Sequence, residues 1–237
     1  MADPTLSGPM SGLDAIKRIR AEYEDVILAF STGKDSLACW LTIREHFNVI
    51  PHYQYSIPGL EFVDEALDYY ERFFSTKIIR LPHPRLHRLL NNLVFQTPER
   101  MLVIDQAGLP NHDYADIRQV LIEDNKLDPG TFVADGVRAA DSPLRRIALS
   151  KYGPITWESR RFHPIWDMKK AQVLELFRKS GVKLTTDYKL FGRTFDGLDA
   201  RFLVPLKQHR PRDYQRVLDW FPLAELEVYR WENWDAK

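Results

Sequence analysis

Val26-Ile27-Leu28-Ala29-Phe30-Ser31-Thr32-Gly33-Lys34-Asp35-Ser36 is the stretch whose reading decides the fold. Its first five residues are apolar without alternation, the pattern of a parallel strand buried on both faces. Two hydroxyls, a glycine, a lysine and an aspartate follow. Then Leu37, Trp40, Leu41 and Phe47 recur at a spacing close to 3.6, which predicts an amphipathic helix. A strand, a tight polar loop and a helix in this order aim backbone N–H groups and a positive dipole end at one point, an arrangement suited to a phosphate.

Working outward, Leu13, Ile16, Ile19 and Tyr23 predict a helix before the strand. After it, Asn48 to Tyr55 reads as a second strand. Val63, Ala66, Leu67, Tyr70, Phe73 and Phe74 trace a helical face, and Lys77 to Leu81 reads as a third strand. This β-α-β-α-β order predicts an α/β fold with a doubly wound, mostly parallel sheet. Leu86 to Val94 reads as a helix, Thr97 to Asn111 as a mixed connection with a short apolar element at Met101–Ile104, and Tyr114 to Leu121 as another helix. Thr131 to Asp135 gives a fourth strand and Arg160 to Trp166 a fifth. Asp167 is placed to cap a helix that turns Ala171, Leu174 and Phe177 inward and ends at Gly181. The expected organisation is one domain over 1–237, with a five-stranded core over about 13–181 and a helical or irregular C-terminal extension over about 182–237.

Composition narrows the function classes. Lys plus Arg and Asp plus Glu both number 33, so no net field draws the chain to nucleic acid or membranes. The first twelve residues are polar and carry Pro, Gly and Ser without a secretory core, and no apolar run is long enough to span a membrane. A cytoplasmic protein is expected. Cys39 is the only cysteine, which excludes an intrachain disulfide and a cysteine-built zinc or iron–sulfur site. Its place inside the helix after the loop marks it as a buried thiol.

Two phosphate loops compete for the central stretch. A Walker loop needs glycine where Leu28 stands and no residue between Lys34 and Ser36, so that reading fails at both ends. The stretch instead resembles the Ser-Gly-Gly-x-Asp-Ser loop of the ATP pyrophosphatases, through Ser31, Gly33, Asp35 and Ser36, with Thr32 at the first glycine. Thr there would resist a positive φ. Pro58-Gly59-Leu60-Glu61-Phe62 and Gly136-Val137-Arg138-Ala139-Ala140-Asp141-Ser142, with Arg145 after it, are similar to two further segments of one branch of that class. His163-Pro164-Ile165-Trp166 is similar to a fourth. The branch is that of the phosphoadenosine phosphosulfate (PAPS) reductases and ATP sulfurylase small subunits, and the resemblance spans about residues 25 to 190. Many of its members of this length are encoded by bacteriophages, beside DNA-modifying proteins.

The resemblance implies an adenine nucleotide α-hydrolase-like fold and cleavage of ATP, with Mg²⁺, between its α- and β-phosphates. It does not extend to reduction. The family's reductases carry a nucleophilic cysteine near the C-terminus, and no cysteine lies there in this chain. What survives is a step needing no thiol, in which an acceptor attacks the α-phosphate and is adenylylated. Ser31, Ser36 and the N–H groups around Thr32 and Gly33 would bind the leaving pyrophosphate, and Lys34 would supply a point charge. Asp35 would fix the loop or hold Mg²⁺. Gly59 and Gly136 would lie along the nucleotide, and Arg138, Arg145 and Arg146 would neutralise its far phosphates or an anionic co-substrate. Lys34, Asp35 and Arg138 are the expected catalytic residues. The acceptor is left open between a nucleic-acid base and a small oxyanion, as is a partner protein or a homo-oligomer. Two rivals also stand: a sulfonucleotide-binding enzyme borrowing an external thiol, and a nucleotide-binding accessory subunit without turnover.

Other groupings read as structural. His83 and His87, four residues apart, lack a nearby third ligand and read as surface or capping histidines. Arg201, Lys207, His209, Arg210 and Arg212, with Phe202 and Tyr214, read as a solvated basic surface before a nucleic-acid contact. Tyr229, Trp231 and Trp234 read as packing or subunit contacts.

Overall fold

The apolar run of the central stretch forms the middle of a sheet. In the computed structural model, which describes residues 10–235 and side chains through 233, the chain begins with α1 (Gly12–Arg20), β1 (Asp25–Ala29), α2 (Lys34–Ile43), β2 (Asn48–Tyr55), α3 (Glu61–Phe74) and β3 (Ile79–Pro82). Three helices follow, α4 (Pro84–Asn91), α5 (Pro98–Ala107) and α6 (Tyr114–Asn125), then β4 (Val133–Ala134), α7 (Pro143–Tyr152), β5 (Ile155–Thr156) and β6 (Arg161–Phe162). The chain closes with α8 (Lys170–Ser180), α9 (Thr186–Phe191), α10 (Ala200–His209), α11 (Pro211–Trp220) and α12 (Glu225–Arg230). This is an α/β protein whose six strands run in the order β3-β2-β1-β4-β6-β5. β1 lies parallel to β2 and β4, and β4 parallel to β6, while β5 is an antiparallel edge strand on β6. Among the described residues no helix is long and apolar enough to cross a membrane.

The described chain divides into two compact units. The first runs through Tyr53 and adds Lys77–Ile79 and Ala115–Leu184; the second takes Gln54–Thr76, Arg80–Tyr114 and the chain from Thr185. In the first unit, Val26, Ile27 and Leu28 of β1 are buried, as a strand with neighbours on both sides requires. Register partners Leu28 and Ala134, and Ala134 and Phe162, place the ends of β1, β4 and β6 side by side. Aromatic edges fill the space around them: Phe132 meets Tyr23, Trp157 and Phe162, and Phe30 meets Trp40 at 5.1 Å between centroids.

The second unit has its own core. Phe62, Phe191, Phe195 and Phe202 pack together, edge to face except for the tilted Phe191–Phe195 pair, with centroids 5.2–6.0 Å apart, and Leu203, Leu206, Val217, Phe221 and Val228 are buried. Leu60 cannot cap α3 with its side chain, so Asp213 of α11 does so, accepting from the N–H groups of Glu61 and Phe62. Burial pushes the Asp213 carboxyl upward, and those two N–H donors pull it back.

Several sequence expectations need correction. The sheet has six strands, not five, because the two-residue β5 is too short to leave a periodic signal. α2 is not amphipathic. From Ser36 to Leu41 every residue is buried, and Phe47 lies beyond its end, so burial runs all round the helix and not along one face. Leu13 of α1 is 52% exposed, while Gly12, Ala15, Ile16 and Ile19 carry the buried face. The mixed connection 97–111 contains a helix, α5, with none of its residues buried; Leu102 is 72% exposed. Asp167 does not cap α8. Its carboxylate accepts from Gly12 N, and Lys169 occupies the cap position with its N–H bonded to Gln172. The inward residue of α8 is Val173, not Ala171 or Leu174. Met1 to Pro9 and the Trp234 side chain lie outside the described residues, and Tyr229 and Trp231 are exposed.

Candidate functional site

The loop between β1 and α2 sits in the first unit, at the carboxyl end of β1, where ligands bind in open α/β sheets. Gly33 is the N-cap of α2 and supplies no side-chain cap, so no side chain of its own closes that helix end. Thr32 adopts φ 59°, the left-handed region. A β-branched residue there is a genuine outlier, and such strain concentrates at functional loops. Thr32 Oγ1 donates to the Ser31 carbonyl at 2.6 Å, which helps hold the conformation.

Ser36 braces the loop from within. Its hydroxyl donates to Gly33 O at 3.0 Å and accepts from Ser31 N at 3.1 Å, leaving the Ser31 hydroxyl, 3.1 Å away, as donor to the same oxygen. Ser36 is buried and Ser31 is exposed. Ser36 therefore shapes the loop, and Ser31 is the hydroxyl that solvent reaches.

The segment after β4 closes on this loop. A Cβ on Gly136 would stand 2.4 Å from the Asp35 carbonyl carbon and 2.5 Å from Ser36 N, so only glycine permits the approach. Two residues on, Arg138 is 5% exposed and its Nε lies 2.7 Å from Asp35 Oδ1. The two atoms are out of line for a hydrogen bond, so the contact is charge pairing. Arg138 Nη2 donates to Asp141 Oδ1 at 2.9 Å, and Arg145 Nη1 lies 3.4 Å from Asp141 Oδ2. Lys34 Nζ donates to Asp35 Oδ2. Three cations thus surround two carboxylates at the mouth of α2.

Both Asp35 oxygens face cations, Lys34 on one and Arg138 on the other. Among the described residues no group of three or more His, Cys, Asp or Glu is placed to hold a metal. A Mg²⁺ ion on Asp35 would have to displace Lys34, so this carboxylate fits the gathering of cations and does not fit a metal site as it stands.

Of the residues expected from sequence, Ser31, Thr32, Gly33, Lys34, Asp35, Ser36, Gly136, Arg138 and Arg145 come together in the first unit. Arg146 is exposed. Gly59 belongs to the second unit, where its φ of 75° makes the turn into α3 beside Arg216. The N-terminus of α3 is already filled by Asp213.

Sequence reasoning missed two groups on the same edge. Asp135 follows β4 and His163 follows β6, and His163 Nδ1 lies 2.6 Å from Asp135 Oδ1. Asp135 had a local signal, as the first polar residue after Phe132-Val133-Ala134, whereas His163 follows the mixed pair Arg161-Phe162 and had none. Nearby buried groups are held neutral: Cys39 has its thiol pushed well up by burial and by the Asp135 charge. His52 is pushed down to about 4 by burial and by Arg161.

The remaining groupings behave structurally. His83 caps α4 by accepting from Arg85 N, and His87 Nδ1 donates to Pro110 O. Arg210 makes a two-pronged pair with Glu65, Lys207 pairs with Glu232, and Arg201 with Asp199. Phe202 and Tyr214 are buried, so that cluster offers no stacking platform.

No family model matches this sequence, and no curated protein matches it. Among solved structures the chain is similar to an NH3-dependent NAD synthetase from Campylobacter jejuni subsp. jejuni NCTC 11168 in complex with the nitrate ion. The identity is 15%, the match covers 92% of each chain, and the TM-score is 0.44. A likeness at that level carries no argument about chemistry, which rests on the site itself.

Proposed function

We propose that this chain is an ATP pyrophosphatase of the pyrophosphate-loop kind, which transfers AMP to an acceptor and releases pyrophosphate. One observation carries the reading: three cations, Lys34, Arg138 and Arg145, are gathered by Asp35 and Asp141 over a helix N-terminus that no side chain of its N-cap closes. Charge develops on pyrophosphate as the α–β bond breaks, and preorganised cations and N–H dipoles at that point stabilise it without reorganisation. The charge excess at the cluster leaves room for an anion. Phosphate oxygens would take over contacts that Lys34 now makes with Asp35.

Ser31 would donate to a phosphate oxygen, and Ser36 would keep the loop in shape. Arg138, buried between two carboxylates, would act as a fixed positive wall, whereas the exposed Arg145 would swing to the ligand. Magnesium would arrive on the phosphates of ATP as part of the substrate, consistent with the engaged state of Asp35.

The test is incubation with α-labelled ATP and Mg²⁺, with sulfate, nucleosides and DNA offered as acceptors. Pyrophosphate is expected, with the α-label in an adenylylated acceptor or, after hydrolysis, in AMP, falling about 100-fold or more in Lys34→Ala, the scale for losing one preorganised group at a developing charge. ADP and phosphate as products would overturn the reading.

A further inference from the structure

His163 and Asp135 form a link that the phosphate-loop chemistry leaves unused. Ala134 and Phe162 are register partners in parallel β4 and β6, so the residues that follow them, Asp135 and His163, stand side by side at the carboxyl edge. The end of β1, from which the phosphate loop leaves, is the next strand over. His163 thus stands at the same carboxyl edge as that loop, with β4 as the one strand between them.

The link has a defined proton arrangement. Asp135 Oδ1 accepts from Val137 N at 3.0 Å, and Arg161 Nη1 lies 3.8 Å from Oδ2. An oxygen that already accepts from Val137 N acts as acceptor toward the imidazole too. The 2.6 Å contact is therefore Nδ1–H donating to Asp135, which leaves the lone pair on Nε2. Nothing among the described residues hydrogen-bonds to Nε2, and the His163 side chain is 16% exposed. The backbone is fixed as well, because His163 N donates to Pro154 O of the β5–β6 hairpin at 2.9 Å. The facing groups are Asp135 of β4 and Arg161 of β6. Beyond them Cys39 of α2 lies within range of Asp135, and His52 of β2 within range of Arg161; burial favours the neutral form of both.

We propose that His163 is the base that accepts the acceptor's proton in the adenylylation step, and that Asp135 is the positioning residue that fixes its tautomer. The inference rests on the adenylyl-transfer reading above. An O–H or N–H of the acceptor attacks the α-phosphorus as its proton passes to Nε2. The bond from the α-phosphorus to the bridging oxygen breaks, and pyrophosphate leaves with those electrons. The acceptor class is thereby narrowed to groups carrying a removable proton, because a fully ionised oxyanion such as sulfate has none to give.

The alternative is a structural strap joining β4 to β6, and His163→Asn separates the two. Asn keeps an N–H for Asp135 but has no equivalent of Nε2. With wild-type protein releasing pyrophosphate from ATP, we expect His163→Asn to bind ATP within two-fold of wild type. Its rate should be lower by about 100-fold or more, and the rate loss that wild type shows on acidification should vanish. Asp135→Asn, which retains an acceptor for Nδ1–H, should also bind ATP and turn over slowly. Either variant, folded and within three-fold of the wild-type rate with the wild-type pH profile, overturns the inference. So does transfer of the α-label from ATP onto sulfate by the wild type. Absence of pyrophosphate release by wild type across the whole panel is a different result: it removes the adenylyl-transfer reading itself, and this inference with it.

Discussion

Arg138 Nε lies 2.7 Å from Asp35 Oδ1, so the segment leaving β4 is tied by charge to the first turn of the helix leaving β1. The tie joins residues more than a hundred positions apart. It also explains why Gly136 precedes it: the backbone must pass close to Asp35 and Ser36 for the guanidinium to reach.

Gly136→Ala should break that approach. Its new Cβ would fall 2.4–2.6 Å from backbone atoms of Asp35 and Ser36, which cannot move aside like the tip of a side chain. A loss of about 1–3 kcal/mol is expected from overpacking. Chemical denaturation reads the stability loss, and an equilibrium ATP titration should show binding weakened in step. Unchanged stability would mean that the loop yields freely.

Thr32→Gly should stabilise the fold. At φ 59° a β-branched residue stores strain that glycine releases, offset in part by the greater freedom of glycine in the unfolded chain. The lost Oγ1 bond to Ser31 O is a further offset. A net gain of about 1 kcal/mol is expected, seen as a higher melting temperature. A lower one would place the value of Thr32 in its hydroxyl.

His52 should make the protein acid-labile in a defined window. It is buried, and its pKa is pushed down to about 4 from an ordinary 6.5. Above 6.5 the ring is neutral in both states and no stability is lost. Between 6.5 and about 4 the unfolded chain takes up a proton that the folded chain refuses, so stability falls as pH falls. The loss levels off below about 4, where both states are protonated, and totals on the order of 3 kcal/mol. Denaturation of wild type and His52→Gln across this range should show the slope only in wild type.

Asp213→Ala should destabilise the second unit, because it removes the acceptor for two N–H groups at the start of α3. A cost of about 1–2 kcal/mol is expected. Amide hydrogen exchange at Glu61 and Phe62 should speed up while exchange in β1 keeps its wild-type rate.

The strand–loop–helix at residues 26–36 was legible because each part leaves a local signal: an unbroken apolar run, a Gly-Lys-Asp loop and a helix former. The strand at Asn48–Tyr55 was legible for the same reason. Signals failed where contacts are distant or segments short. The Asp135–His163 pair joins two strands 28 residues apart, and nothing local to either residue announces the other. The face of α8 was not legible because its apolar residues, Ala171, Val173, Leu174, Leu176 and Phe177, circle the helix, and only packing selects Val173. Thr32 shows the reverse case. The loop that this stretch resembles has glycine at that position, threonine resists a positive φ, and the structure keeps the conformation at the cost of strain.

The central claim is that ATP is cut reversibly between its α- and β-phosphates over the α2 N-terminus. Exchange of labelled pyrophosphate into ATP, run with Mg²⁺ and the acceptor panel, tests it most directly. The account predicts that label enters the β- and γ-positions of ATP, and that Lys34→Ala and Arg138→Ala lose the exchange. Failure of label to enter ATP while the same protein turns ATP into ADP and phosphate would contradict it.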